Sequence, residues 1–241
     1  MHILVLGGTG LSGTVFIEEA LQSGHKLTIY ARSPGKLSQH LRQHDNLAVV
    51  EGTFDDMDAA RRALHCGAEA LVSFAGPTMP SRGTAVADFY DKLFPWLEKS
   101  PINRIMILST ASFRTPSDGG SWLWWLGGWC IWAIGGSTYQ EMNRIGQATT
   151  RLPLDQVEWT LYRYGLLALW TVTKSDADIL GFIRVPFLTN SKSSTVQTGM
   201  VGSGTDGMLL SRSSLSVWIL QELHDRKYIG KTPMVSNPGW F

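Results

Sequence analysis

The chain predicts a doubly wound, mostly parallel α/β sheet, and three observations carry that prediction. A five-residue apolar strand, His2 to Leu6, runs directly into a glycine-rich turn and then into a helical pattern. Short apolar runs continue to alternate with helical periodicity as far as Tyr164. The run from Arg104 to Ser109 is nearly unbroken in its apolar character, as expected of a parallel strand covered on both faces.

The elements follow in order. A helix from Leu11 to Ser23 ends at Gly24, a good left-handed terminator, and His25 to Ala31 forms the second strand. Asn46 to Glu51 is the third strand. Asp56 to His65 is a helix opened by acidic residues and closed at Gly67. Ala68 to Ala75 is the fourth strand, followed by Gly76-Pro77, and Val86 to Lys99 is helical. After the fifth strand come a helix from Tyr139 to Arg151 and a sixth strand from Trp159 to Tyr164. Right-handed crossovers then place the loops after Leu6, Tyr30, Phe74, Leu108 and Arg163 along the carboxyl edge of one sheet, where a ligand crevice forms at the reversal of strand order. The tail from Trp170 to Phe241 is less regular. It holds a Ser/Thr/Gly-rich stretch from Thr189 to Thr205, a helix from Ser213 to Asp225 and a short strand near Met234, and it reads as a small C-terminal substrate-side cap, residues 170–241.

Composition narrows the class. At 241 residues the chain fits a single domain, residues 1–241, and 44% hydrophobic residues suffice for a sizeable core. A net charge of +1 with 17% charged residues gives no bulk attraction to nucleic acid, so a small molecule is the expected partner. Cys66 and Cys130 are too few for a disulfide framework, and neither they nor the six histidines show metal-ligand spacing. No metal is expected. The opening apolar stretch is a strand ending in glycines rather than a secretion signal, and a reducing, cytoplasmic setting is the expectation.

The first turn carries the chemistry. Gly7, Gly10 and Gly13 fit G-x-x-G-x-x-G, and Gly8, Gly10 and Gly13 fit G-x-G-x-x-G. Such glycines permit the turn, let backbone approach a pyrophosphate and let helix pack on strand, while amides at the helix start face the phosphates. After the second strand, where NAD preference places an acidic residue, the chain reads Arg32-Ser33-Pro34-Gly35-Lys36. Arg32 offers a fork of donors for a 2′-phosphate, Ser33 a hydroxyl and Lys36 a second charge, so NADP(H) is the expected cofactor.

With these motifs the chain resembles the atypical and extended short-chain dehydrogenases/reductases, with NAD(P)-binding Rossmann domains like those of the nitrogen-metabolite-repression regulator and biliverdin reductase B. The resemblance also rests on Gly52-Thr53-Phe54-Asp55-Asp56, on Leu108-Ser109-Thr110-Ala111-Ser112, on Glu158 to Leu167, and less strongly on Leu210-Ser211-Arg212-Ser213-Ser214-Leu215. It implies that Gly7, Thr9, Gly10, Leu11 and Ser12 bind the pyrophosphate and that Thr53 and Phe54 lie along the adenine. Ala75, Gly76 and Pro77 would pass beside the ribose, and Ser109, Thr110, Tyr164 and Gly165 would border the nicotinamide. Two positions depart from the family: Thr53 replaces its adenine-side aspartate, and Tyr164 replaces the usual proline.

Standard enzymes of the superfamily pair a tyrosine with a lysine four residues later, whose cation lowers the phenol pKa. Here Tyr139 is followed by Asn143, which can hydrogen-bond a ribose but brings no charge. Tyr139 is therefore either a proton donor or an ordinary amphipathic-helix tyrosine. Thr110 falls where a substrate-orienting serine often stands, and Ser112 is an equal candidate. Both also suit ordinary loop chemistry.

Between Asp118 and Glu141 the chain carries no charge, and Trp122, Trp124, Trp125, Trp129 and Trp132 make up half of its ten tryptophans. Glycine pairs break this stretch into pieces too short to span a membrane. It reads as the wall of an apolar substrate pocket, an interfacial membrane patch or a contact in a homodimer. The leading expectation is an NADPH-dependent oxidoreductase reducing a carbonyl, imine or conjugated double bond of a hydrophobic small molecule. The alternatives are an NADP-binding regulatory protein without turnover and a non-redox isomerase or cyclase.

Overall fold

The computed structural model describes residues 1–77, 83–120, 137–164, 187–192, 195–204, 207 and 209–238. In chain order the elements are β1 (His2–Leu6), α1 (Leu11–Gln22), β2 (Lys26–Ala31), α2 (Gln39–Arg42), β3 (Leu47–Glu51), α3 (Met57–Leu64), β4 (Ala70–Ser73) and α4 (Ala85–Leu97). They continue with β5 (Arg104–Thr110), α5 (Ser137–Thr150), β6 (Glu158–Tyr164), β7 (Phe187–Thr189), β8 (Gln197–Gly199), β9 (Leu209–Ser211), α6 (Arg212–Asp225) and β10 (Met234–Ser236).

The apolar runs become strands because both of their faces are covered. Along β1, Ile3 and Val5 join the layer formed with Phe16 and Ile17 of α1 and Trp218 and Ile219 of α6. The alternate residues Leu4 and Leu6 join Leu64 of α3, Phe89 and Leu93 of α4 and Ile145 of α5. The same division runs through β5, with Met106 on the first side and Ile105 and Ile107 on the second. Each fully buried aliphatic side chain contributes on the order of 1.5–3 kcal/mol. One sheet with helices on both faces is therefore the arrangement this pattern stabilises.

The sheet order is β3-β2-β1-β4-β5-β6-β10-β8. The first seven strands in that order pair in parallel, and β8 pairs antiparallel with β10. Strand order reverses between β1 and β4, so the crevice expected from the sequence opens above that junction. The doubly wound parallel sheet is as the sequence predicts. The Ser/Thr/Gly-rich stretch behaves differently from its composition: it supplies β8, which with β10 extends the sheet beyond β6, while β7 and β9 form a separate parallel pair.

At the amino ends of the strands a buried ion pair ties the last helix to the sheet. Arg104 on β5 meets Glu222 of α6 at 2.9 Å and the Thr160 hydroxyl at 2.8 Å. Glu222 also accepts from the Lys227 and Tyr228 amides just past the helix end. Among the described residues no helix is long and apolar enough to cross a membrane.

Candidate functional site

The turn after β1 is shaped by backbone against backbone. Gly7 has φ +71°, and a Cβ there would lie 2.7 Å from the Ala75 nitrogen in the loop after β4. A Cβ on Gly13 would lie 2.5 Å from the Gly7 carbonyl oxygen. These two glycines are thus required by the protein's own packing. Gly10 is not: its φ of −81° suits any residue, and the nearest atom to a Cβ there is 3.4 Å away. The missing side chain at Gly10 leaves room on the open side of the turn, where a phosphate would come close to the backbone.

The helix that follows points the same way. Asp56 caps α3, Ser211 caps α6 and the Glu141 carboxylate receives the Val86 amide of α4, whereas no side chain caps α1 and none in its first turn is acidic. An uncapped amide cluster at the carboxyl edge of the sheet fits an anion as its cap. Thr9 and Ser12 are half-buried beside it, and Leu11 is 74% exposed at the mouth. The residues present therefore fit a dinucleotide pyrophosphate.

β2 delivers Arg32 to the same edge. Arg32 is exposed, Ser33 is half-buried, and Lys36 lies exposed in the short turn Pro34–Lys36. Neither cation makes an ion pair among the described residues. Thr53 is exposed, while Phe54 is half-buried and packs on Phe89 at 4.8 Å between ring centroids. Beneath them the Tyr30 hydroxyl donates to the Thr53 carbonyl at 2.6 Å, and burial, with Asp56 nearby, pushes its pKa up to about 12. Tyr30 is thus a fixed donor holding the β3 exit loop.

The β4 exit loop is held by neutral hydroxyls from both faces of the sheet. Ser73 pairs through its hydroxyl with Tyr90 of α4 and accepts from the Ala75 amide at 3.1 Å, while Tyr162 of β6 donates to the Ser73 carbonyl at 2.7 Å. Burial raises both phenol pKa values, so these tyrosines stay protonated. The loop they fix carries Ala75, Gly76 and Pro77. Met142 of α5 would lie 2.9 Å from a Gly76 Cβ, which brings the first turns of α5 against this loop.

At the β5 exit Thr110 and Ser112 share a hydrogen bond of 2.7 Å, and both are buried. Ser109 is fully buried, and among the described residues its hydroxyl has no partner. Tyr139 is half-buried in the first turn of α5. Asn143 spends its amide on the Tyr139 carbonyl at 2.8 Å, one turn back in its own helix. Tyr164 is buried in the α1/α6 layer of the core, and burial raises its pKa. Gly165 and the tryptophan-rich segment, residues 122–132, lie outside the described residues.

One constellation at this edge was not visible in the sequence. Arg163, the penultimate residue of β6, forms a two-pronged ion pair with Asp118, Nη1 to Oδ2 and Nη2 to Oδ1, each at 2.8 Å, with both side chains almost completely buried. Burial opposes the Asp118 charge, but Arg163 and the Thr115 amide outweigh it and hold the carboxyl below its ordinary pKa. The only hint in the sequence was that Asp118 is the last charge before a long uncharged stretch.

A family model for NAD(P)H-binding proteins matches residues 7–178. The chain belongs to this NAD(P)H-binding family. The match begins at the first turn glycine and runs past β6, so it takes in both the glycine turn and the β5 exit. A search of the curated proteins finds no match. Among solved structures, a wide-type short-chain dehydrogenase/reductase from Veillonella parvula DSM 2008, in complex with NADP, superposes with a TM-score of 0.73 at 16% identity, covering 99% of this chain and 95% of that one. ChuY, an anaerobillin reductase from Escherichia coli O157:H7, gives 0.70 at 14% identity, covering 100% and 99%. The oxidoreductase ylbE from Lactococcus lactis gives 0.69 at 17%, covering 100% and 92%. These likenesses show that the fold of this family member is a Rossmann fold.

Proposed function

We propose that the protein is an NADPH-dependent reductase acting on a carbonyl, imine or conjugated double bond of a hydrophobic small molecule. The observation that carries this reading is Arg32, exposed at the β2 exit and free of any ion pair among the described residues, with Lys36 one short turn further on. Two cations beside an uncapped helix and a side-chain-free Gly10 suit a dinucleotide with one extra phosphate. When bound, NADPH supplies the hydride. Gly7, Thr9, Gly10, Leu11 and Ser12 would hold the pyrophosphate, Arg32, Ser33 and Lys36 the 2′-phosphate, and Ala75, Gly76 and Pro77 would pass beside the ribose. The Thr110–Ser112 hydroxyl pair orients the substrate's acceptor atom, and Tyr139 or water returns the proton.

A second reading has its own observation. With the Asn143 amide spent on the Tyr139 carbonyl, no charged partner assists Tyr139 from that position, which favours an NADP-holding regulator without turnover. Fluorescence titration of the purified protein with NADPH and NADH, followed by consumption assays on a panel of hydrophobic carbonyl compounds, separates the two. Tight NADPH binding with turnover supports the reductase, and tight binding with no consumption supports the regulator. No affinity for either nucleotide overturns both. With a substrate in hand, Tyr139→Phe lowers turnover if this phenol is the donor; unchanged turnover assigns the proton to water.

A further inference from the structure

We propose that Asp118 and Arg163 are positioning residues that clamp the β5 exit loop to the far half of the sheet, so that the pair sets the substrate side of the cleft and leaves the nucleotide side untouched. The assignment of sides rests on the reading given above; the clamp itself rests on the bonds.

Between them the two side chains tie together four separate stretches of chain. Arg163 holds β6 and donates to the Phe113 carbonyl at 2.9 Å and to the Thr232 carbonyl just before β10. Asp118 accepts from the Thr115 amide at 2.7 Å, within its own loop, and from the Val201 amide at 3.2 Å, just after β8. The seam is reinforced by backbone. The Gly119 amide donates to the Val201 carbonyl at 2.8 Å, and a Cβ on either Gly119 or Gly202 would lie 2.6 Å from the other's carbonyl oxygen. Ala111, Val201 and Met234 form a small apolar cluster alongside. The Thr110–Ser112 pair sits at the root of the clamped loop. A buried, doubly hydrogen-bonded pair fixes a direction as well as a distance, which a single contact would not do. The β8–β10 extension of the sheet thereby acquires a purpose: it is the anvil against which the loop is held.

The experiment compares the full-length wild-type protein with Asp118→Asn by hydrogen–deuterium exchange and mass spectrometry. Nucleotide binding is followed in parallel with NADPH as the probe. Exchange is expected to quicken by roughly ten-fold or more in peptides covering 113–120 and 199–204, with no change in those covering β1 and β2. The NADPH Kd should stay within about two-fold of wild type, because the glycine turn shares no partner with the pair. The emission of bound NADPH, which reports the nicotinamide end, should change. If Asp118→Asn does not fold, Arg163→Lys serves instead; it keeps the charge and gives up the fork. Exchange that quickens everywhere alike, or nowhere, overturns the clamp, as does unaltered NADPH emission at unaltered Kd. If the wild type binds no NADPH, the nucleotide reading fails while the exchange pattern still decides the clamp.

Discussion

The loops leaving β4 and β5 come from neighbouring strands and are fastened by different chemistry. The β4 loop is held by Ser73, Tyr90 and Tyr162, all neutral, and by the near contact of Gly7 with Ala75. The β5 loop hangs on Asp118 and Arg163, a charged pair drawn from two distant stretches of chain. Backbone contact leaves no slack, which suits the side proposed to receive the same pyrophosphate whatever the substrate. An ion pair binds several segments at one point, so the geometry of a whole loop depends on two side chains. Precision on one side is distributed, and on the other it is concentrated.

The largest effect should come from breaking the distributed side at its tightest point. Gly13→Val places its Cβ 2.5 Å from the Gly7 carbonyl oxygen, which nothing nearby can yield to without moving the turn. Loss of measurable NADPH binding with a marked fall in Tm is expected. Retained binding would show that the turn has slack after all. Next comes the concentrated side: Asp118→Asn leaves Arg163 buried without its counter-charge, a change that typically costs about 3–5 kcal/mol. Denaturant unfolding should register that loss, and a cost below about 1 kcal/mol would mean that water reaches the pair.

Arg32→Asp tests the nucleotide side from its rim. The substitution replaces a donor fork with a like charge opposite a phosphate, and a roughly 10- to 100-fold loss of NADPH affinity is expected with NADH little changed. Equal losses for the two nucleotides would remove the role proposed for Arg32. Tyr162→Phe is gentler. It deletes one buried donor to the Ser73 carbonyl and should cost about 1 kcal/mol, much less than Asp118→Asn. If it costs as much, the neutral network is as concentrated as the ionic one, and the contrast between the two loops disappears.

These differences also explain what was legible in the sequence. The glycine turn and the long apolar strands announce themselves because their causes are local: a positive φ, a close contact, a face covered on each side. The place of Arg32 at the edge was legible because it is fixed by the strand before it. The Asp118–Arg163 pair brings together residues far apart in the chain, and no periodicity records such a partnership. β8 and β9 are three residues each, too short to show alternation, and β8 lies in a stretch whose composition suggests a loop. Asn143 was recognised as a departure, but its bond to the Tyr139 carbonyl needed the helix itself. Glu141 was seen only as the end of the uncharged stretch, because its cap on α4 depends on how the two helices pack.

The smallest effect is the response to acid, and here Asp118 and Glu141, which flank the tryptophan-rich stretch on either side, should move in opposite directions. Asp118 lies below its ordinary pKa, so its stabilising contribution is complete above about pH 4 and is lost as pH falls from there toward its folded value. Glu141 lies above its ordinary pKa, raised first by burial and further by Asp88, against the pull of the Val86 and Ala87 amides and Arg144. It takes up its proton earlier in the folded protein than in the unfolded chain, so acidification from neutral pH toward its folded value stabilises the fold. Glu141's share of the stability should therefore rise as pH falls from 7, against the opposite slope set by His2 and His25, whose pKa values burial lowers. Glu141→Gln should flatten the rise, and Asp118→Asn should remove the loop's own share of the fall, seen as hydrogen exchange in the 113–120 peptides. A single transition unaffected by either substitution would mean that neither carboxylate titrates as its surroundings require, and that acid acts on the fold through its exposed carboxylates.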